Sequence, residues 1–581
     1  MSYLGRTLPN TQRLDSQSIA ITPNPKTGLS SGETVNSSKP LFILSGKESL
    51  LPVALFLIFV LITIPGITWG LPSLWNPDEL VWRVQKALGG ELRFDENEPD
   101  FNYPSLPKYV MYGIGKITYG LGYSSLEFFT ASRLVSALLG GVSVILAYAI
   151  ARQMGGSVYV GTLAALLMMS CSTLSENARF AHNDLYLLFF SLMMVYSLVR
   201  YRLSGNRLWL YLAFLSVGLA ASSKYTGGTL IVVVITVYLA GNWGELKKDL
   251  TGSLETLFIS IVLAFLGFAV GTPKALLWMT YYFKRMLPAM FRFRVYGAAT
   301  DVKIGLTGQW STLQSALGSP LYFLFMASLI WIFVKLTLFY FRKIEEDEKK
   351  MKSFFTLLLT IIVFDLPLLV SYNYVPRFFL PLVPLLAVFS AFFVEQLFKL
   401  AGRWKYSSYA RIGIGIGVLV VLSYSALRIA STMLLFVNDA RIPASDFLTS
   451  LPKGTSIEYT LYPPNVPKNH FSRAHNYPIY FIKYPGEVVP AKRAYNYNEG
   501  EAGLDNRQTD YLVIDTLTYA RFSDPQICKL NPVECDFFGK LLSGQTKYRQ
   551  LAEFTYFLPA WLPRLDLGAV NPGVRVFERI N

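Results

Sequence analysis

A chain of 581 residues that is 52% hydrophobic and only 16% charged lies well below the roughly 25% charge of an ordinary soluble domain, which excludes a disordered, fibrous or ordinary soluble multidomain protein. The mean hydropathy of +0.36 comes from apolar blocks of about 20 residues, the length that crosses a bilayer as a helix. The formal net charge of +15 is spread in short basic clusters between those blocks rather than in a compact basic domain, which argues against nucleic acid as a partner.

Residues 1–48 are polar, rich in Ser, Thr, Asn and Pro, and carry Arg6, Arg13, Lys26, Lys39 and Lys47 without apolar periodicity. They read as a disordered tail, too polar for a signal peptide. Eleven apolar runs follow, at about 49–70, 128–151, 158–175, 184–200, 208–222, 226–242, 253–272, 317–341, 353–371, 378–398 and 411–437. Alternate connections hold the cations: Arg152; Arg200, Arg202 and Arg207; Lys247 and Lys248; Arg342, Lys343, Lys349, Lys350 and Lys352; Lys399, Arg403, Lys405 and Arg411. The positive-inside rule puts that side, and the N-terminal tail, in the cytoplasm. The short opposite loops carry single cations, Arg179, Lys224 and Arg377.

An odd number of spans places residues 438–581 outside. There, β-rich runs such as Ser456–Leu461 and Asp510–Leu517 alternate with Pro, Gly and Asn turns, so a small extracytoplasmic α/β domain is expected on the membrane surface. The division is therefore 1–48 tail, 49–437 membrane domain and 438–581 external domain. Cys528 and Cys535 lie close enough for a disulfide if their compartment oxidises thiols, and the sequence leaves that open. No Asn on the predicted external side begins an Asn-X-Ser/Thr sequon, which leans toward a bacterial plasma or inner membrane.

The chemistry-bearing residues fall on that external side. The first external loop, about 71–127, holds two segments suited to interfacial helices, with Trp75, Trp82, Tyr103, Tyr109 and Tyr112 at headgroup level. Asn76 before Pro77 reads as an N-cap with Pro at the first helical position, which puts Asp78 and Glu79 in the first turn. Acids there are common capping residues. Adjacent helical positions diverge, however, so one carboxylate can face a cavity as general base while its neighbour is held elsewhere. The segment 176–184 brings Arg179, His182 and Asp184 to the start of an apolar run, where an acid is costly without a partner, and Arg179 is a ready one. Lys108, Lys224 and Arg377 add cations that could snorkel to lipid phosphates or stabilise a departing phosphate.

These residues resemble the GT-C superfamily of polytopic glycosyltransferases, nearest to the family 39-like group of protein O-mannosyltransferases and lipid A aminoarabinose transferases. The resemblance rests on an ordered series: PDE (77–79), NYPSLPKY (102–109), SRLVSALLGG (132–141), RFAHNDLYLLFF (179–190), GLAASSKYTGG (218–228), GTPKALLW (271–278) and VPRFFLPLVPLL (375–386). At the second of these Asn102 and Tyr103 stand in place of the family's His, and its second Pro is absent.

The resemblance implies an α-helical GT-C fold with about eleven transmembrane helices. It implies inverting transfer of one sugar from a polyprenyl-phosphate donor to a lipid, glycan or protein acceptor on the extracytoplasmic face. By position, Asp78 is the expected base toward the acceptor hydroxyl, and Glu79 supports the site or binds acceptor or metal. Lys108, Lys224 and Arg377 are expected at the carrier phosphate, while Arg179, His182 and Asp184 shape the site. No cofactor is firmly expected and a divalent cation stays open; His470 and His475 lack the further ligand that zinc would need. The alternative is a multi-pass transporter or lipid flippase. The charges cluster at one face and no internal repeat is visible, which favours the enzyme.

Overall fold

The computed structural model describes residues 50–91, 103–280, 282–284, 306–369, 375–476 and 500–580. The expected tail 1–48 lies outside them. Eight helices make up the first part of the described chain: α1 (Leu50–Thr63), α2 (Val81–Leu88), α3 (Leu106–Gly120), α4 (Ser125–Gln153), α5 (Val158–Met169), α6 (Ser172–Asn177), α7 (Asp184–Ser204) and α8 (Arg207–Ser223). Among the described residues seven helical segments are long and apolar enough to cross a membrane: α4, α7, Leu250–Gly271, Ser319–Tyr340, Glu348–Leu369, Pro376–Ala401 and the segment opening at Ser407. Four shorter apolar helices, α1, α5, α8 and Tyr225–Gly241, lie at the other apolar runs.

α7 and Pro376–Ala401 form the centre of the bundle, while Leu250–Gly271 and Ser407–Val437 lie at its rim. The rim helices turn Phe258, Phe265, Val270, Ile412, Ile416 and Leu419 outward, the reverse of a soluble surface and the pattern of a lipid-facing one. Where lipid offers no hydrophobic drive, close backbone approach holds helices together. α8 meets Leu250–Gly271 in this way, because a Cβ on Gly218 would fall 2.0 Å from the Ala264 carbonyl oxygen.

The first loop contains the two expected helices, α2 and α3, with one difference at the acidic pair. Asn76–Glu79 is a turn, and α2 starts only at Val81. The Asn76 side chain accepts from the Asp78 N–H (3.1 Å), but the Leu80 N–H donates to the Ala181 carbonyl (3.1 Å) instead of capping a helix. A tertiary hydrogen bond has displaced the local helix start that the sequence signals.

The C-terminal part is a five-stranded sheet in the order β2-β1-β3-β5-β4, from β1 (Ser456–Tyr459), β2 (Arg473–Asn476), β3 (Tyr511–Asp515), β4 (Tyr548–Phe554) and β5 (Val574–Arg579). β1 runs parallel to β2 and β3, whereas β5 is antiparallel to β3 and β4. Alternation along β3 divides the core. Leu512 and Ile514 pack under the helix Pro532–Leu542 with Phe537 and Phe538, and Tyr511 and Val513 pack under the helix Arg441–Ser450 with Ala444 and Leu448. Cys528 and Cys535 are joined by a disulfide, their Cα atoms 5.6 Å apart.

Asp439 fastens this part to the membrane helices. Fully buried, it accepts from Trp69 Nε1 (2.8 Å), from Arg441 Nη2 (2.8 Å) and from the Asn571 N–H (2.6 Å). Around it Trp69, Trp75, Phe180, Leu435, Phe436 and Val570 form a small core that joins the first loop, the end of Ser407–Val437 and the segment before β5.

Candidate active site

Four charged side chains from four places in the chain meet at the end of α7. Asp184, the first residue of α7, is 2% exposed and takes Lys224 Nζ on Oδ1 (2.7 Å). Its Oδ2 meets His182 Nδ1 (2.7 Å) and lies 3.6 Å from Arg377 Nε. Arg377, at the start of Pro376–Leu382, donates from Nη2 to Asp78 Oδ2 at 2.6 Å. Two carboxylates and two cations cancel in formal charge, which is what permits such burial near a membrane.

Asp78 is the open member, its side chain 44% exposed against 2% for Asp184. Burial works to raise its carboxyl, but the adjacent Arg377 guanidinium prevails and holds it below the ordinary aspartate value. One oxygen is engaged by Arg377, so the carboxylate is ionised, oriented and reachable.

His182 is 2% exposed, with Nδ1 on Asp184 and Nε2 buried without a hydrogen-bond partner. Its ring stands edge-on to Tyr103, centroids 5.8 Å apart. Tyr103 lies near Asp78, and burial together with that carboxylate pushes its phenol up to about 12. The Tyr103 carbonyl in turn accepts from Lys108 Nζ (3.0 Å). Lys108 is almost wholly buried, and burial with Arg83 nearby pulls its amine well below the ordinary value. Of the three cations expected at a phosphate, Lys224 and Arg377 thus converge on Asp184, and Lys108 lies behind Tyr103.

Glu79 points the other way. It is fully buried in a two-pronged pair with Arg133 of α4 (Nη2–Oε1 2.6 Å, Nε–Oε2 2.9 Å), and Oε2 also accepts the Ala181 N–H (2.9 Å). Arg133 Nη1 donates to the Ile67 and Trp69 carbonyls, each at 2.7 Å. Glu79 is therefore a staple between loop and bundle. Arg179 is likewise occupied away from Asp184. It donates to the carbonyls of Ile62 (2.7 Å), in the last turn of α1, and of Pro65 (2.8 Å), just beyond it, where the helix end leaves acceptors unpaired. The partner that the sequence offers for Asp184 is replaced by Lys224, which lies forty positions further on.

Two residues to which the sequence reading gave no site role complete the arrangement, Arg133 and Tyr103. Arg133 had a signal, because an arginine inside an apolar run demands a partner. Tyr103 had a signal of another kind, as an aromatic of the first loop that stands within the NYPSLPKY motif. Among the described residues no group of three His, Cys, Asp or Glu side chains gathers as a metal ion would need.

Residues 82–287 match the family described as dolichyl-phosphate-mannose-protein mannosyltransferase. Dolichyl-phosphate-mannose–protein mannosyltransferase 1 of Saccharomyces cerevisiae is 26% identical over 251 residues, 41% of this chain and 30% of the yeast protein. The matched stretch contains the motifs from NYPSLPKY to GTPKALLW on which the resemblance in the sequence rests. The family match includes Lys108, Arg133, Arg179, His182, Asp184 and Lys224, and it begins just after the Asp78–Glu79 pair. Among solved structures, ArnT from Cupriavidus metallidurans bound to undecaprenyl phosphate is 13% identical at a TM-score of 0.46, over 92% of this chain and 98% of that one. The Saccharomyces cerevisiae protein O-mannosyltransferase complex bound to the sugar donor is 19% identical at a TM-score of 0.31, over 48% of this chain and 37% of that one.

Proposed function

We propose that this GT-C-like protein transfers a single sugar, with inversion, from a polyprenyl-phosphate donor to a hydroxyl of a lipid, glycan or protein on the extracytoplasmic face of a bacterial membrane. The observation that carries the reading is the half-exposed Asp78 held by Arg377 beside the buried Asp184–Lys224 pair. The name of the yeast relative, with its isoprenoid-phosphate-linked mannose, supports the donor class. The disulfide between Cys528 and Cys535 supports an oxidising compartment for the C-terminal domain.

In this reading Asp78 takes the proton of the acceptor hydroxyl as its oxygen attacks the anomeric carbon, and the bond from that carbon to the phosphate oxygen breaks on the opposite side. One displacement inverts the centre. Asp78 loses its negative charge as the departing phosphate gains one, so Arg377, already on Asp78, is placed to follow the charge to the phosphate. Lys224 provides the second cation. Glu79 and Arg133 position the turn that carries Asp78, Lys108 holds Tyr103 against His182, and Arg179 ties α1 to the site.

Asp78→Asn tests the base. Transfer of radiolabelled sugar from polyprenyl phosphate into the lipids, glycans and proteins of isolated membranes is expected to fall about 10²–10⁴-fold. Near-normal transfer by correctly inserted protein would remove Asp78 from that role.

A further inference from the structure

The segment between β4 and β5, residues 555–573, leaves the sheet and returns to it. Along its inner side Tyr556, Leu558, Leu565, Leu567 and Val570 pack on the core around Trp69 and Phe436. On its other side two large side chains have no such cover: Phe557 is 81% exposed and Trp561 70%. A turn at Pro559–Leu562, closed by Leu562 N–H to the Pro559 carbonyl (2.9 Å), presents Trp561 at its tip.

The depth of that tip can be read from the helix beside it. Ser431 Oγ of the helix Ser407–Val437 donates to the Pro563 carbonyl (2.9 Å). That helix has 31 residues and is about 46 Å long, while a hydrocarbon core of about 30 Å takes about 20 of them. Counted from Arg411, the last cation before the apolar run, the core ends about 20 residues further on, near Ser431. The tip of the strap therefore stands at the boundary between acyl chains and headgroups.

We propose that the strap is a membrane foot, with Phe557 and Trp561 seated in the interfacial layer of the leaflet on the side of the C-terminal domain. The occupant is lipid rather than protein because the strap lies against a helix long and apolar enough to cross a membrane, whose exposed apolar side chains run from Ile412, Ile416 and Leu419 up to Val437, past the level of Ser431. The residue types fit that layer. Indole and phenyl rings prefer the headgroup boundary. Pro559 and Pro563 carry no N–H to leave unpaired where water thins out, and the charged Arg564 and Asp566 come only on the returning limb. The same strap covers Trp69 and Trp75, so seating it in the bilayer pins the loop that presents Asp78 at a fixed height above the membrane.

The test uses the full chain in phospholipid vesicles, with an environment-sensitive fluorophore on Trp561→Cys or Phe557→Cys and, as reference, on Lys540→Cys of the same domain. Cys171 is buried and Cys528 and Cys535 are joined, so the introduced thiol takes the label. Both strap labels are expected to emit blue-shifted light and to be quenched about twofold or more by lipids brominated near the headgroup, with the Lys540 position unaffected. Water-like emission from the strap labels would overturn the proposal. So would blue-shifted emission indifferent to brominated lipid, which would mean that a second copy or another protein covers the patch. The two strap positions are independent variants, so failure of one to fold leaves the other as the reading.

Discussion

Opposed influences act on the Asp78 carboxyl, burial and Asp184 raising it and Arg377 and His182 lowering it. Burial disfavours the charged form, the Arg377 guanidinium favours it, and the guanidinium wins. The base role proposed for Asp78 needs an ionised carboxylate at working pH, and in this arrangement Asp78 stays ionised to below its ordinary value. Arg377→Gln removes the larger favourable influence and leaves burial and the Asp184 carboxylate opposed by His182 alone, so the carboxyl rises and the acid limb of the pH–rate profile moves to higher pH. An unchanged acid limb, alongside any loss in rate, would show that the arginine does not set the charge of Asp78. Scarcity of charge on the predicted external side made Asp78, Asp184, Lys224 and Arg377 visible in the sequence. Their pairing was not visible, because Asp78 and Arg377 stand 299 positions apart and only the folded bundle selects Lys224 over Arg179 for Asp184.

At the scale of elements, apolar length and the positions of cations marked the membrane helices, since crossing a bilayer imposes a length that composition alone reveals. The start of α2 was misread because its local signal, Asn-Pro-Asp-Glu, is outweighed by contacts with α4 and residue 181. The sheet register was equally hidden: β1 pairs with β3 across more than fifty residues, and nothing local specifies which strands meet. The staple between the first loop and α4 has a measurable consequence. Arg133→Ala leaves Glu79 buried with only the Ala181 N–H and strips two donors from the Ile67 and Trp69 carbonyls, so it is expected to cost about 3–5 kcal/mol of stability. Thermal unfolding in detergent measures it. Glu79→Gln in the Arg133→Ala background should cost far less than in the parent, because the buried carboxylate is then already unpaired. Equal costs in both backgrounds would mean that the pair does not act as a unit.

At the scale of the whole molecule, the C-terminal sheet and the helical bundle hold one geometry around Asp78. The joint is narrow: Asp439 receives the Trp69 indole from the first loop, Arg441 from the helix under the sheet and the Asn571 N–H from the segment before β5. Arg441 also lies over the faces of Trp69 and Trp75, 5.1 and 4.2 Å from their centroids. Asp439→Ala removes the one acceptor that all three share and leaves Arg441 buried with the Ala569 carbonyl as its remaining acceptor, a loss of about 3–5 kcal/mol if the whole joint resists it. The sheet has its own core on both faces and the bundle has its own helical packing, so neither should unfold. The damage is expected at the joint itself. Hydrogen exchange should quicken in residues 66–80 and 556–571 together, with β3 and α7 still protected, and sugar transfer should drop with Asp78 untouched. Quickened exchange confined to the sheet, with the first loop unchanged, would show that the C-terminal part does not steady the loop that carries Asp78.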